Sequence, residues 1–285
     1  MNVFFDNLLW TYQTLLTQVG IGCLLALSLY WVIATGQLFL GQVAFMAMGA
    51  YTSATLSMQF GLPLWMSVLM AIAFATAVAA LIVYPMLRLS GVHMAIGTIA
   101  FVAVVRSVVI NMEFLGGALG ISGVPHPVSL ATLYLIVCLV AAGMLWISKS
   151  RIGRNMEAVR TDEVAAAVMG INVGKVKLTC VLISSALAGL AGALNAHAMG
   201  SISPNEFTFQ SCVTVLSYVV LGGIASPLGG ILGAIVLIAL PEMLSGLAEY
   251  RTMFNGLVIV VVVMLLPSGL FPIKTLRIRG YVNRR

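Results

Sequence analysis

Apolar runs about as long as a bilayer is thick recur along the whole chain, separated by turn signals and charge. They fall at 8–33, 41–60, 64–87, 92–110, 128–148, 178–199, 208–224, 228–247 and 253–272. A helix needs about 20 residues to cross the hydrocarbon core, and in lipid every backbone polar group must be satisfied internally. With 61% hydrophobic and 8% charged residues and a mean hydropathy of +1.10, no water-soluble domain of this length is open to the chain. The expectation is an all-α, polytopic transmembrane bundle of about nine spans, forming one domain over 1–285. The run at 208–224 is short and carries Thr214, Ser217 and Tyr218.

The net charge of +6 would fit a nucleic-acid partner, but the basic residues sit beside the apolar runs, as orientation signals do. No nucleic acid is expected; membrane lipid is. With the N-terminus outside, nine spans put 12 of the 14 Lys and Arg on the cytoplasmic side: Arg88, six in 149–177, and five in a basic tail at 273–285. The C-terminus is then cytoplasmic. Asp6, Glu113, Glu206 and Glu249 fall outside. Asp6 is the sole charge before the first run, so that run reads as a retained span rather than a cleaved signal. Cys23, Cys138, Cys180 and Cys212 are scattered through apolar runs and read as small buried hydrophobes.

Residues 149–177 are an island of charge, holding 9 of the 22 charged residues. Within it, Thr161 reads as a helix N-cap, and Asp162 and Glu163 as first-turn acids that favour the helix dipole. Val164 to Met169 is mostly Ala, Val and Met, and Gly170 suits the position just past a helix end. Two turns of helix are marginal in water. Its small apolar face therefore lies either on its own bundle and the headgroup layer or on a docking partner.

Two Gly-rich interruptions stand at the same membrane face in this topology. Gly36-Gln37 and Gly41-Gln42 open one span. Leu221-Gly-Gly-Ile-Ala-Ser-Pro-Leu-Gly-Gly230 joins two others. Paired breaks point to a transport path; plain interfacial turns are the other reading. Small residues recurring through 178–199 (Ser185, Gly189, Gly192, Ala196) and 228–247 (Gly229, Gly230, Gly233) read as close helix packing. Arg106 sits in the outer third of its span, facing a path or paired to Glu113. Glu242, His93, His126 and His197 read as interfacial or structural. The loop at 111–127, rich in Gly and Pro, is expected to be ordered against the outer mouth. No paired carboxylates, HExxH, nucleophile elbow or Walker A motif appears, so no enzyme is expected.

Glu163-Val-Ala-Ala-Ala-Val-Met-Gly170 resembles the EAA-type coupling loop of ABC-importer permeases. Ser150-Arg-Ile-Gly-Arg-Asn-Met-Glu-Ala-Val-Arg160 and Met169-Gly-Ile-Asn-Val173 resemble branched-chain amino-acid permeases of the LivM type. So do Gly41, Ala44-Phe45, Gly49-Ala-Tyr51, Ser203-Pro204, Phe207-Thr-Phe209, Val220-Leu-Gly-Gly223 and Pro267-Ser-Gly-Leu270. The resemblance runs in order from about residue 30 to 272. It implies a permease subunit of an ATP-driven importer in the bacterial inner membrane, forming half of the path for branched-chain or related small amino acids. Its partners would be two cytoplasmic ABC ATPases, a second permease and an extracytoplasmic binding protein. It would hold no cofactor of its own, ATP being used by the ATPases.

Glu157, Arg160, Asp162, Glu163, Ala165, Ala166 and Gly170 would couple to the ATPase. Gly36, Gln37, Gly41, Gln42, Phe45, Gly49, Tyr51, Arg106, Gly222 and Gly223 would flank the path. Two departures bear on the substrate. Phe39 stands where the family usually has Ser, and Gly116-Gly117-Ala118-Leu119-Gly120 lacks the family's two polar side chains. A urea or short-amide importer is the nearest alternative, and an ion-coupled secondary carrier is the rival from another class.

Overall fold

The computed structural model describes residues 2–243 apart from 88, 90, 126, 224 and 225. The run at 253–272, the tail at 273–285, Arg88, His126, Glu249, Arg251 and Pro267–Leu270 lie outside the described residues, as do the side chains of Asp6 and Glu242. Among the described residues ten α-helices follow in order: α1 Asn2–Ile33, α2 Gln42–Phe60, α3 Leu64–Met86, α4 Val92–Asn111, α5 Leu130–Ser148, α6 Arg151–Thr161, α7 Glu163–Val168, α8 Val173–Met199, α9 Phe209–Gly222 and α10 Pro227–Met243. Two two-residue strands, β1 (Ile121–Ser122) and β2 (Ser201–Ile202), pair antiparallel.

Among the described residues, five helices are long and apolar enough to cross a membrane: α3, α4, α5, α8 and the Tyr12–Ile33 part of α1. A sixth span results if α9 and α10, bent by 118° at their break, are taken together. The helix α2 falls below that hydropathy because it is an interior helix. Its residues are small or polar (Gly49, Ser53, Thr55, Ser57) and buried on nearly every side. A helix enclosed by protein does not need a lipid-soluble surface.

The axis of the bundle is α8, which packs along α1, α2 and α3. Glycine makes this possible. A Cβ at Gly49 of α2 would strike the Gly189 backbone, and one at Gly192 would strike the Met46 carbonyl and the Ala50 amide. On its other flank Gly189 faces Ala75 of α3 at 2.8 Å from the Cβ position. Polar side chains are stitched together in two layers. In one, the Ser28 hydroxyl of α1 donates to the Ser184 carbonyl (2.8 Å), and Gln42 Nε2 of α2 donates to Ser184 Oγ (3.3 Å). In the other, His197 of α8 meets Ser53 Oγ at 2.8 Å through Nε2 and the Pro125 carbonyl at 2.8 Å through Nδ1. A carbonyl only accepts, so Nδ1 carries the proton. Nε2 is then the acceptor for the Ser53 hydroxyl proton, while Ser57 donates to Ser67 Oγ of α3 at 3.0 Å.

One end of the bundle carries α6, α7 and the two Gly-rich breaks. The opposite end carries the 112–129 and 200–208 loops. There Gly116, Gly117, Gly120 and Gly123 all have positive φ, and β1 is tied to β2. At Gly120 any side chain would collide with the Ile202 carbonyl, so the glycine is needed for the strand pairing itself.

The α2–α8 contact gives a direct stability prediction. Gly192→Val overpacks a backbone-to-backbone seam and should cost about 2 kcal/mol or more. Gly143→Val on α5, where nothing lies within 4 Å of the Cβ position, should be nearly silent. Thermal unfolding of the two variants in detergent checks the difference.

Candidate functional site

At the charged end, Ser150 caps α6 by accepting from Ile152 N at 3.2 Å. The helix lies on the bundle through Met156 and Val159 and turns most of its charge outward. It was not apparent in the sequence, having only two apolar contacts to mark its period. The cap of α7 is Asp162, not Thr161. Thr161 is still helical, its hydroxyl donating back to the Glu157 carbonyl at 2.8 Å. Asp162 is extended (φ −157°), and its Oδ1 accepts from Val164 N (2.8 Å) and Ala165 N (3.0 Å). A shorter acceptor at the chain reversal reaches both orphan amides.

The remaining anchors of α7 are few. Glu163 pairs with Lys177 Nζ of α8 at 2.6 Å, a solvent-facing contact of modest strength. Ala166 is buried, and Gly170 closes the helix at φ 83°. Ala165, between cap and core contact, is exposed. Val164, Val168 and Met169 are 75%, 82% and 82% exposed. The apolar side of α7 therefore faces away from its own bundle.

The first break runs from Gly36 (φ 80°) to Gly41. Gln37 is buried; its Nε2 donates to Thr35 Oγ1 at 2.7 Å while its Oε1 has no partner. Leu40 N donates to Thr98 Oγ1 of α4 at 3.1 Å. Phe39 stacks on Phe45 at 6.1 Å between centroids, and Phe45 meets Phe101. In the second break, Gly222 lies directly against Gly229, Gly223 takes φ 99°, and Ser226 Oγ accepts from Leu228 N at 3.3 Å to start α10. Both breaks lie next to α6. A side chain at Gly36 would face the Arg160 Cα at 3.9 Å. Arg160 and Glu157 also line a cavity of about 610 Å³ together with Tyr30, Trp31, Ser226 and Pro227.

At the opposite end, Arg106 of α4 donates from Nη2 to Asn205 Oδ1 at 3.0 Å and so holds the 203–207 turn. It has no ion pair with Glu113. Beside it, Glu206 accepts from Asn195 Nδ2 of α8 at 3.3 Å. Burial pushes the Glu206 carboxyl above the ordinary carboxylate range, against the opposing effect of hydrogen bonds from Asn195 and the Ser203 backbone. Glu206 and Asn195 stand in the wall of a second cavity, of about 530 Å³, between α1, α8, α9 and α10. A third, of about 540 Å³, is an apolar groove over α2 and α4 that includes Tyr51. Tyr51 also packs on Phe207, with its hydroxyl buried and unpartnered.

Of the residues expected along a path, Tyr51 alone lines any of these three cavities. Gly36, Gln37, Gly41, Gln42, Phe45, Gly49, Gly222 and Gly223 form breaks and packing seams, and Arg106 holds a loop. The second cavity instead uses Gln18, Met46, Asn195, Glu206 and Thr214. The available signal was a lone amide in an apolar run, as at Gln18 and Asn195. Among the described residues no group of His, Cys, Asp and Glu could hold a metal ion.

A bundle of membrane-length apolar helices with two interrupted helices, open cavities and a small helix exposed at one end has the architecture of a polytopic membrane protein. Residues 11–266 match the family model for the permease component of branched-chain amino acid transport systems, and the chain belongs to that family. It is 34% identical to the high-affinity branched-chain amino acid transport system permease protein LivM of Escherichia coli (strain K12), over 84% of this chain and 64% of that protein. It is likewise 34% identical to LivM of Salmonella typhimurium, over 90% of this chain and 69% of that protein. It is 28% identical to LivH of E. coli K12 over 49% of this chain and 46% of that one. The chain thus spans about two thirds of the length of the LivM proteins it matches. No solved structure matches it.

The cap geometry predicts a local effect. Asp162→Ala should cost α7 about 1 kcal/mol and raise amide exchange at Val164 and Ala165 roughly fivefold. The amides of α8 should be unchanged, as hydrogen–deuterium exchange would report.

Proposed function

We propose that this chain is the membrane-spanning permease subunit of an ATP-driven importer in the bacterial inner membrane, and that it forms half of the path for a branched-chain or related small amino acid. The observation that carries the reading is α7. It is a short capped helix with Val164, Val168 and Met169 exposed, next to α6, which itself adjoins both helix breaks. A docked partner that moves α6 and α7 would act on both breaks at once. The LivM relatives are named as components of branched-chain amino acid transport systems; that substrate class comes to this chain by kinship. Two cytoplasmic ATPases engage α6 and α7 through Glu157, Arg160, Asp162, Glu163, Ala165, Ala166 and Gly170. A second permease completes the path, and an extracytoplasmic binding protein delivers solute at the 112–129 and 200–208 loops. With about nine spans, the N-terminus lies outside and the charged end in the cytoplasm. The chain has no Walker A motif, so nucleotide is consumed by the partners. Ligand and nucleotide act only through different affinities for the outward- and inward-open states.

Glu163→Arg breaks the Lys177 pair and opposes the helix dipole; Gly170→Trp cannot adopt the required positive φ comfortably. Each should lower ATP-driven isoleucine uptake by about tenfold, within the usual range of intersite coupling, with membrane insertion retained. Normal uptake by both variants sinks the docking role. Orientation is checked separately: cysteines at Glu157 and Leu119 should label from opposite faces of the membrane, and labelling from one face refutes the topology.

A further inference from the structure

The second cavity has a chemistry that the family assignment does not supply. Its wall at the loop end is polar, with Gln18 of α1, Asn195 of α8 and Glu206 of the 203–207 turn. Deeper in, it is aliphatic, with Ile21, Leu25, Met46 and Val215. Glu206 is the one ionisable acid among the lining residues, and no Lys, Arg or His lines the cavity. Asn195 is buried, 7% exposed, and donates to the carboxylate at 3.3 Å, and the Ser203 backbone hydrogen-bonds to the same group. The Ser211 hydroxyl donates to the Glu206 backbone carbonyl, at 2.5 Å, rather than to the carboxylate. Among the described residues the Glu206 carboxylate has no cationic partner. Arg106 is turned to the neighbouring Asn205 and Tyr51 approaches from α2, neither pairing with it. A carboxylate accepts about four hydrogen bonds, so Glu206 keeps unused capacity and an unpaired charge for whatever occupies the cavity.

We infer that this cavity is an amine-reading subsite: Glu206, steadied by Asn195, receives the ammonium group of the solute while Ile21, Leu25, Met46 and Val215 receive its aliphatic part. The inference rests on the importer reading above and deepens it. Because the wall carries an anion and no cation, this subunit selects for the amine end and for branched hydrocarbon, not for the carboxylate. Recognition of the carboxylate then falls to another part of the assembly. An aliphatic primary amine should suffice as ligand, and a branched carboxylic acid should not.

The test uses the assembled transporter in proteoliposomes with Thr214→Cys as reporter, in a Cys138→Ala background because Cys138 is the exposed native thiol. Thr214 lines the cavity, and its hydroxyl donates only to the Gln210 carbonyl of its own helix. The probes are isobutylamine, isoleucine and isovalerate, scored by protection from a thiosulfonate reagent. Isobutylamine and isoleucine should slow labelling about fivefold or more, and isovalerate should not. Glu206→Gln should abolish protection by isobutylamine and raise the KM for isoleucine uptake about tenfold, the loss of one charge-assisted contact. Glu206→Asp should keep part of both. Protection should be present at neutral pH and disappear on acidification as Glu206 takes up a proton, a dependence absent in Glu206→Gln. Equal protection by isovalerate, or full protection by isobutylamine in Glu206→Gln, overturns the subsite. Amine protection in a complex that shows no ATP-driven isoleucine uptake keeps the subsite and overturns the importer reading instead.

Discussion

The close approach of α2 to α8 is the constraint on which the rest of this structure depends. In lipid, helices gain nothing by hiding hydrocarbon from hydrocarbon, so association must come from contact area and from polar groups with nowhere else to go. Gly49 against Gly189, and Gly192 against the Met46–Ala50 backbone, bring two helices together without intervening side chains. At that separation Gln42 can reach Ser184 and Ser53 can reach His197. The same register sets Met46 in the wall of the second cavity, which Glu206 also lines. A wider α2–α8 spacing would break both polar layers at once and leave amides, hydroxyls and an imidazole unsatisfied in an apolar interior, a costly state.

From that axis the two ends of the bundle are built differently. The loop end is over-determined: positive-φ glycines, a β1–β2 pair, the Arg106–Asn205 bond and the His197–Pro125 bond all fix one arrangement. The charged end is under-determined. The α7 helix has a cap, one surface ion pair and one buried alanine to hold it. The adjoining breaks leave Gln37 Oε1 and Trp31 Nε1 buried without partners. Unsatisfied polar atoms beside interrupted helices are where a second arrangement costs least. On the proposed reading, motion enters at the loose end and the rigid end keeps the solute-facing geometry.

The sequence carried the helices well because their signal is local. The runs at 41–60, 64–87 and 92–110 coincide closely with α2, α3 and α4, since Gly61, Pro63 and Gly91 mark their ends chemically. The Gly170 terminator was legible for the same reason. The α7 cap was misplaced by one residue because Thr and Asp are both good caps; only backbone geometry decides between Thr161 and Asp162. The α6 helix was hidden by its charge. The cavities were not legible at all. Gln18, Asn195 and Glu206 are joined by packing across α1, α8 and a loop, and no spacing rule links them. The family-like residues Phe45 and Gly49 were visible in sequence, but what the structure gives them is packing against Phe39 and Gly189.

That contrast bears on how substrate choice is encoded. Phe39 and Phe45 form a stacked pair beside the first break, an apolar contact that needs no hydrogen-bond partner. In the 112–129 loop, Leu119 stands 95% exposed, away from the walls of all three cavities. Neither Phe39 nor Leu119 lines the Glu206 cavity. Selectivity in this subunit rests on one carboxylate set against an aliphatic wall, and that combination discriminates sharply only if the carboxylate stays poorly paired within the chain. A basic residue at Gln18 would neutralise Glu206 internally and remove the basis for recognising an amine, even with every family motif intact.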